Sequence, residues 1–370
     1  MRLLSILLAL VILVSGCIYT PQKVSQHTSR VVSTLSNSVE PKENGQVIEW
    51  NGSVIVLPSK DASFNCSGVL WRYFLMDALQ CILNKEELTR ISPLASALKG
   101  RVLEDSVWNV LTWEEKWISY DRAKAKLPAL KIVVYPNGTG VVVRGKNSTI
   151  QTPYETIVRR KGVCTDYTIL TDALLLAMNY SPVYAMIINF TKPPGHAVAL
   201  VKVEGWYFAL DQHLPPMDLA SYYRYWKKRG RTITNATLYR ITLNNGKVRV
   251  IPLGIFLEVD FLRQDYTISR EDVEELARTI MRLMHERFGV SLDENLAQGK
   301  TVLGGHVEVR YFRFYGFADY YHPLFLKDYS LWLLEKMGRE MSAALSSAKE
   351  LWVEASVKDS DLVVVVYIGS

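Results

Sequence analysis

Cysteine and histidine are scarce, with four and six copies in 370 residues. No pair of them stands as Cys-x-x-Cys or His-x-x-x-His. Those are the spacings from which a zinc site is most readily built, so no metal or other cofactor is expected. Charge of one sign is missing as well. The balance of 43 basic against 37 acidic residues leaves a net charge of +6. The basic clusters, Arg159-Arg160-Lys161 and Lys227-Lys228-Arg229, are short and scattered. A nucleic-acid footprint needs a concentrated basic face, so no nucleic acid is expected as a partner. The N-terminal apolar run from Leu3 to Val14, broken by Ser5, falls short of the ~20 residues a spanning helix needs. No internal repeat is visible, and the only low-complexity tract is a polar stretch near the N-terminus.

What is present is ordinary globular composition, 49% hydrophobic and 22% charged, in a chain longer than one average domain. Two packed units behind a short leader are expected. Arg2, the apolar run, and small Ser15 and Gly16 before Cys17 have the order of a secretory leader. The tetrapeptide Val14-Ser15-Gly16-Cys17 is similar to the lipobox of prokaryotic lipoproteins. That resemblance implies that Cys17 is lipidated and that the protein is held at the outer face of a cell membrane. Residues 18 to 46 are polar and aperiodic, and read as a flexible tether. Seven Asn-x-Ser/Thr sequons, each weak alone, are compatible with an exterior location. With Cys17 assigned to lipid, an oxidising compartment would pair two of the remaining three cysteines. Cys66 and Cys81 flank one helical stretch and are the expected disulfide, with two small core residues as the alternative.

Along the chain, alternation from Val47 to Val56 predicts a strand, and Leu70 to about Leu98 reads as two short helices. Val107, Val110, Leu111, Trp117 and Ile118 recur at helical spacing, predicting a helix from Leu103 to Ile118. Two β-branched runs around Asn137-Gly138 predict a hairpin. Thr152-Pro153-Tyr154-Glu155 is a capping box with proline at the first helical position, so a short helix should run to about Arg160. Gly162 turns the chain, and a helix apolar almost all round should run from Cys164 to about Met178. Such a helix is buried. Strands are expected at Val183 to Phe190, His196 to Val203 and Trp206 to Leu210, the last two joined at Glu204-Gly205. A Tyr-rich helix near Leu219 to Lys228 and a hairpin at Asn245-Gly246 follow. From Ile268 onward, amphipathic helices and β-branched strands suggest a separate α+β unit.

Cys164 is the residue whose position asks for chemistry. The opening turn of a helix presents unpaired N–H groups and the positive end of the macrodipole, which favours thiolate over thiol and can receive an oxyanion. A thiolate attacking an amide also needs a proton donor for the leaving amine, and histidine is the usual one. His196 opens a strand 32 residues downstream. If the chain folds back at Glu204-Gly205, Asp211 arrives beside it, close enough to orient the imidazole. Taken singly, each has a plainer reading: a packing cysteine, a strand-end histidine, a turn aspartate. Their convergence favours catalysis.

At these residues the chain resembles a known family. The stretches GVCTDYTILTDALLLA and GHAVALVKVEGWYFALD look like the core of the transglutaminase-like superfamily, which has the papain-like cysteine fold. VWNVLTWEEKWISYD and IQTPYETIVRRKGVC resemble the segments that precede that core, so the likeness covers about Leu103 to Asp211. It implies an α+β fold in which a helix bearing the cysteine packs on an antiparallel sheet bearing His and Asp. It further implies Cys164 as nucleophile, His196 as general acid and base, and Asp211 as orienting carboxylate. Asp166 and Tyr167 match the pair that recurs behind the cysteine, with Asp166 read as support for the helix N-terminus. Val198 and Gln212 depart from the aromatic and the Pro or Thr common at their positions, which bears on substrate preference. Trp117 and Tyr120 are candidates for the cleft wall. Tyr222, Tyr223, Tyr225 and Trp226 either line a cleft or pack a surface helix. The resulting divisions are a leader at 1–17, a tether at 18–46, a helical extension at 47–102, a catalytic domain at 103–260 and an α+β domain at 261–370. The expected activity is hydrolysis or acyl transfer at amide bonds of a protein or peptide. The alternative is a noncatalytic surface-binding module that keeps the fold.

Overall fold

The computed structural model describes residues 46–370 except 60–61, 65, 67–69, 129, 131, 135–139, 143–147 and 301–304. The leader, Cys17 and the tether up to residue 45 lie outside the described residues, as does the Asn137-Gly138 turn between the paired strands Ile132–Val134 and Gly140–Val142. Among the described residues no helix is long and apolar enough to cross a membrane.

The segment read as one strand from Val47 is a hairpin, Gln46–Trp50 paired with Ser53–Leu57. Asn51 and Gly52 both take positive φ, 47° and 77°, which is the two-residue turn chemistry that reverses a β-ribbon. The 3-10 turn Leu70–Arg72 and the helices Leu75–Ile82 and Lys85–Leu98 follow. The helix Leu103–Trp117 then leads to the short helix Pro153–Arg159, whose Thr152 and Glu155 close the expected capping box.

At the centre is a six-stranded antiparallel sheet. Its order across the sheet is Met217–Asp218, Trp206–Leu210, His196–Val203, Val183–Phe190, Ile233–Asn244 and Lys247–Phe256. The central strands are almost continuously apolar because both faces are covered. Ala197, Ala199, Val201 and Val203 face the core that contains the helix Cys164–Ala177. Val198 and Leu200 face a second core built with Tyr222, Tyr223 and Trp226 of the helix Leu219–Lys228. This two-residue period divides one strand between two cores. The Cys164 helix is therefore apolar all round because the sheet lies on one side and the helices Lys85–Leu98 and Leu103–Trp117 on the others.

The C-terminal part forms a four-stranded sheet in the order Ser291–Leu292, Glu350–Lys358, Asp361–Gly369, Val307–Phe314. It packs against the helices Arg270–Phe288 and Leu326–Ser347. Trp108 meets the rings of Phe325 and Tyr329 at 6.3 and 5.0 Å, and Phe208 meets Phe325 at 5.0 Å. The larger apolar core thus runs without a break from the Cys164 helix into the C-terminal helices.

Candidate active site

The approach to Cys164 is fixed by one buried carboxylate. Asp166 accepts hydrogen bonds from the backbone N–H of Val163 at 2.8 Å and of Gln151 at 2.8 Å, and its Oδ2 lies 2.6 Å from Lys124 Nζ. One side chain therefore anchors the helix start, the segment entering the capping box, and the short helix Arg122–Ala125. Gly162 completes the fit: a Cβ there would meet Asp166 Cβ at 3.0 Å and Thr156 Cγ2 at 3.3 Å. Burial pushes the Asp166 carboxyl up, and the Lys124 charge works against it. Cys164 itself opens the helix at 1% exposure.

His196 and Asp211 meet as the hairpin register requires. With Val203 opposite Trp206 and Ala199 opposite Leu210, the strand delivers Asp211 to the His196 end of its neighbour. Glu204 and Gly205 turn the chain with φ of 47° and 91°. His196 Nε2 lies 2.9 and 3.0 Å from the two carboxylate oxygens of Asp211. Tyr222 donates its hydroxyl to Asp211 Oδ2 at 2.7 Å, and Gln212 Nε2 donates to Oδ1 at 3.2 Å. Burial alone would raise the Asp211 carboxyl. The His196 partner and the Tyr222 hydroxyl outweigh it and hold that carboxyl below its ordinary value. Tyr222 is fully buried beside that charge, and its phenol is pushed well above the ordinary range, so it stays a donor.

The imidazole is also braced from the side. The Trp226 ring stands edge-on to His196 with centroids 5.1 Å apart. The Arg231 guanidinium lies 3.8 Å from the Phe190 centroid and 5.3 Å from that of Trp226, and it donates to the Pro194 carbonyl. Arg231 thus ties the loop before His196 to the helix behind it. The Tyr-rich helix corrects the plainer of the two readings given to it. Tyr222, Tyr223 and Trp226 are buried against the sheet, and Tyr222 touches the site itself. Arg231 and Lys124 carry no signal in the sequence, because the contacts that matter, Arg231 with Pro194 and Lys124 with Asp166, span 37 and 42 residues.

Of the predicted residues, the fold seats His196 and Asp211 in direct contact and packs the helix that begins at Cys164 against the His196 strand. Cys66 and Cys81 are joined, with Cα atoms 5.4 Å apart, away from these groups in sequence and element. Tyr120 sits in a two-residue strand, Ser119–Tyr120, paired in parallel with Lys161–Gly162 just ahead of Cys164. Trp117 ends the preceding helix, under the Arg160 guanidinium at 5.2 Å. Among the described residues no group of three or more His, Cys, Asp or Glu side chains is disposed to hold a metal ion.

Comparison with known proteins bears on the domain that contains these residues. Residues 89–239 match the model of a transglutaminase-like domain. A UPF0252 protein of Archaeoglobus fulgidus is 35% identical over 307 residues, covering 82% of this chain and 91% of that one. A UPF0252 protein of Pyrococcus furiosus is 31% identical over 304 residues, covering 80% and 85%. Among solved structures, calcium-bound LapG of Legionella pneumophila overlaps 50% of this chain and 84% of its own at 14% identity. Its TM-score is 0.28, too loose for matching functional residues.

Proposed function

Because the chain belongs to the UPF0252 family and carries a transglutaminase-like domain, we propose that it is a cysteine-dependent enzyme acting on amide bonds, with Cys164, His196 and Asp211 as its triad. The observation that carries this reading is the double contact of His196 Nε2 with the Asp211 carboxylate, on a strand packed against the helix that Cys164 opens. A carboxylate on Nε2 sets the tautomer and leaves Nδ1 to exchange protons with the sulfur and the leaving group.

In the reaction the Cys164 sulfur, in its thiolate form, adds to the carbonyl carbon, and the π pair moves to oxygen. Collapse of that adduct restores the carbonyl and expels the amine, which takes its proton from His196. The thioester is then resolved by water activated by the same imidazole, or by an amine. Hydrolysis is the preferred outcome, with a protein or peptide as substrate. In this reading a lipid on Cys17, behind the leader, holds the enzyme at the outer face of the membrane. Replacing Cys17 with alanine should move the protein from the membrane fraction to the soluble one.

Labelling with iodoacetamide near neutral pH, under mildly reducing conditions, tests the catalytic assignment. Fast alkylation mapped to Cys164 and slowed at least tenfold by His196→Ala is expected. One observation favours the alternative, a binding module that keeps the fold: Cys164 is only 1% exposed. An inert Cys164, indifferent to His196→Ala, would establish that second reading.

A further inference from the structure

A cavity of about 400 Å³ lies where the segment carrying Phe64 and Arg72 meets the helices Lys85–Leu98 and Pro153–Arg159. None of Cys164, His196 and Asp211 lines it. At roughly 30 Å³ for each molecule of liquid water it has room for about a dozen waters, and so for a small organic molecule.

Its wall is cationic. Among the described residues Arg72, Arg90 and Arg159 line the cavity against a single carboxylate, Glu155. That carboxylate is already engaged: its Oε2 accepts the Thr152 N–H at 2.9 Å in the capping box and stands 3.6 Å from Arg72, too long for a hydrogen bond. Arg90 is balanced by the fully buried Glu87, whose Oε2 lies 3.9 Å from the guanidinium. Arg159 has no carboxylate partner among the described residues, and its guanidinium donates to Gln151 Oε1 at 3.2 Å.

These charges are fixed before any ligand arrives. Arg90 is 9% exposed, lies 3.2 Å from the Tyr154 ring centroid and donates to the carbonyls of Pro58 and Ser59 at 3.4 and 3.3 Å. Arg72 lies 4.5 Å from the Trp71 centroid, on a loop that the Cys66–Cys81 bond closes. Gln151, which holds Arg159, donates in turn to the Lys161 carbonyl at 2.8 Å. Groups held in this way lose little freedom when they bind. Beside them, Phe64 and the half-exposed Val158 give the wall an apolar part.

We propose that this cavity binds a small organic anion, its carboxylate or phosphate group received by Arg72 and Arg159 and its apolar body by Phe64 and Val158. Arg90 adds a third, fixed positive charge. The planar guanidinium fork suits either head group, because each offers oxygens that two parallel N–H donors can meet.

Isothermal titration of the full chain with phenyl phosphate and with benzoate, at constant ionic strength, tests the assignment. Saturable one-to-one binding of at least one of them is expected, tighter than that of inorganic phosphate or acetate, which lack the apolar body. The tighter of the two names the head group. Arg159→Gln and Arg72→Gln should each weaken it about tenfold or more. Arg159→Lys should recover part of the loss, since it restores the charge without the fork. Arg229→Gln removes an arginine outside the cavity, stacked 3.5 Å from the Tyr225 centroid, and should leave the affinity unchanged. Arg159 is exposed, so its variant should keep the wild-type melting temperature and remain informative if Arg72→Gln fails to fold. No saturable binding, an affinity indifferent to Arg159→Gln, or an equal loss in Arg229→Gln would overturn the proposal.

Discussion

Tyr222 stands to Asp211 as Asp211 stands to His196: each fixes the orientation of the group in front of it through a short contact, 2.7 Å in the first case and 2.9 Å in the second. The two links differ in what their loss removes. Asp211→Asn keeps the volume but turns an amide toward Nε2 and favours the wrong tautomer. With p-nitrophenyl acetate as a saturating acyl donor to Cys164, release of p-nitrophenolate should fall about 10³- to 10⁴-fold. Tyr222→Phe leaves the carboxylate paired with the imidazole and removes one hydrogen bond to a charge, worth about 1.5–3 kcal/mol. Its expected effect on the same rate is about tenfold. The pH dependence has a sign. Since the folded state holds the Asp211 carboxyl below its unfolded value, the pair contributes stability above the ordinary aspartate range that is lost as pH falls through the folded value. Acid titration of unfolding should therefore show a steeper loss below about pH 4 in wild type than in Asp211→Asn. Coincident curves would remove the ion pair from the account.

At the scale of elements, most of the frame around the site is legible in the sequence, and the reasons are local. The strands Val183–Phe190, His196–Val203 and Trp206–Leu210 have the bounds expected from their apolar runs, as does the helix Leu219–Lys228. Turn chemistry at Glu204-Gly205 and Asn245-Gly246 announces the hairpins, and both asparagine and glutamate take positive φ there. At Asn51-Gly52 the same turn chemistry lies between two apolar runs whose shared alternation reads as one longer strand. What the sequence could not show is which face of an element meets which partner. Tyr222 and Trp226 are one helical turn apart on a helix whose other side carries Lys227 and Lys228, so the helix resembles a surface one until the sheet is placed beneath it. The Lys124–Asp166 pair is the clearest case. Forty-two residues separate a lysine on a four-residue helix from a fully buried carboxylate. Lys124→Met would leave that carboxylate buried beside two backbone donors and no cation, at a cost of about 3 kcal/mol. Urea unfolding should register the loss, and because Asp166 anchors the segment leading to Cys164, alkylation of that residue should change with it. Undiminished stability would mean that the two backbone bonds suffice.

For the molecule as a whole, the unbroken core decides how its parts and its pH response behave together. Phe208 of the central sheet and Trp108 of the helix before it both pack against rings from the C-terminal part, so residues 261–370 cover apolar surface that the first part cannot bury alone. Ending the chain at residue 260 should give an aggregating product, seen by size exclusion, and a well-behaved monomer would show that the two parts are independent. Deep in that shared core lies a pair of carboxyls, Glu114 and Asp172, both fully buried. Glu114 Oε1 accepts from the Thr171 hydroxyl at 2.8 Å. Its Oε2 and both Asp172 oxygens have no hydrogen-bond partner among the described residues. Burial pushes the Glu114 carboxyl from 4.5 up to about 8, and burial together with the Glu114 charge pushes Asp172 up as well. Here the folded value exceeds the unfolded one, so the native state retains a proton that the unfolded chain releases. Stability should fall as pH rises from about 4.5 toward 8 and then level off. Glu114→Gln keeps an acceptor for Thr171, places an N–H donor toward Asp172 and removes the titration. Its unfolding free energy in urea should match wild type near pH 5 and exceed it by about 3 kcal/mol at pH 8. A constant difference between the two proteins across that range would show that Glu114 is ionised in the fold, with a counter-charge supplied to it.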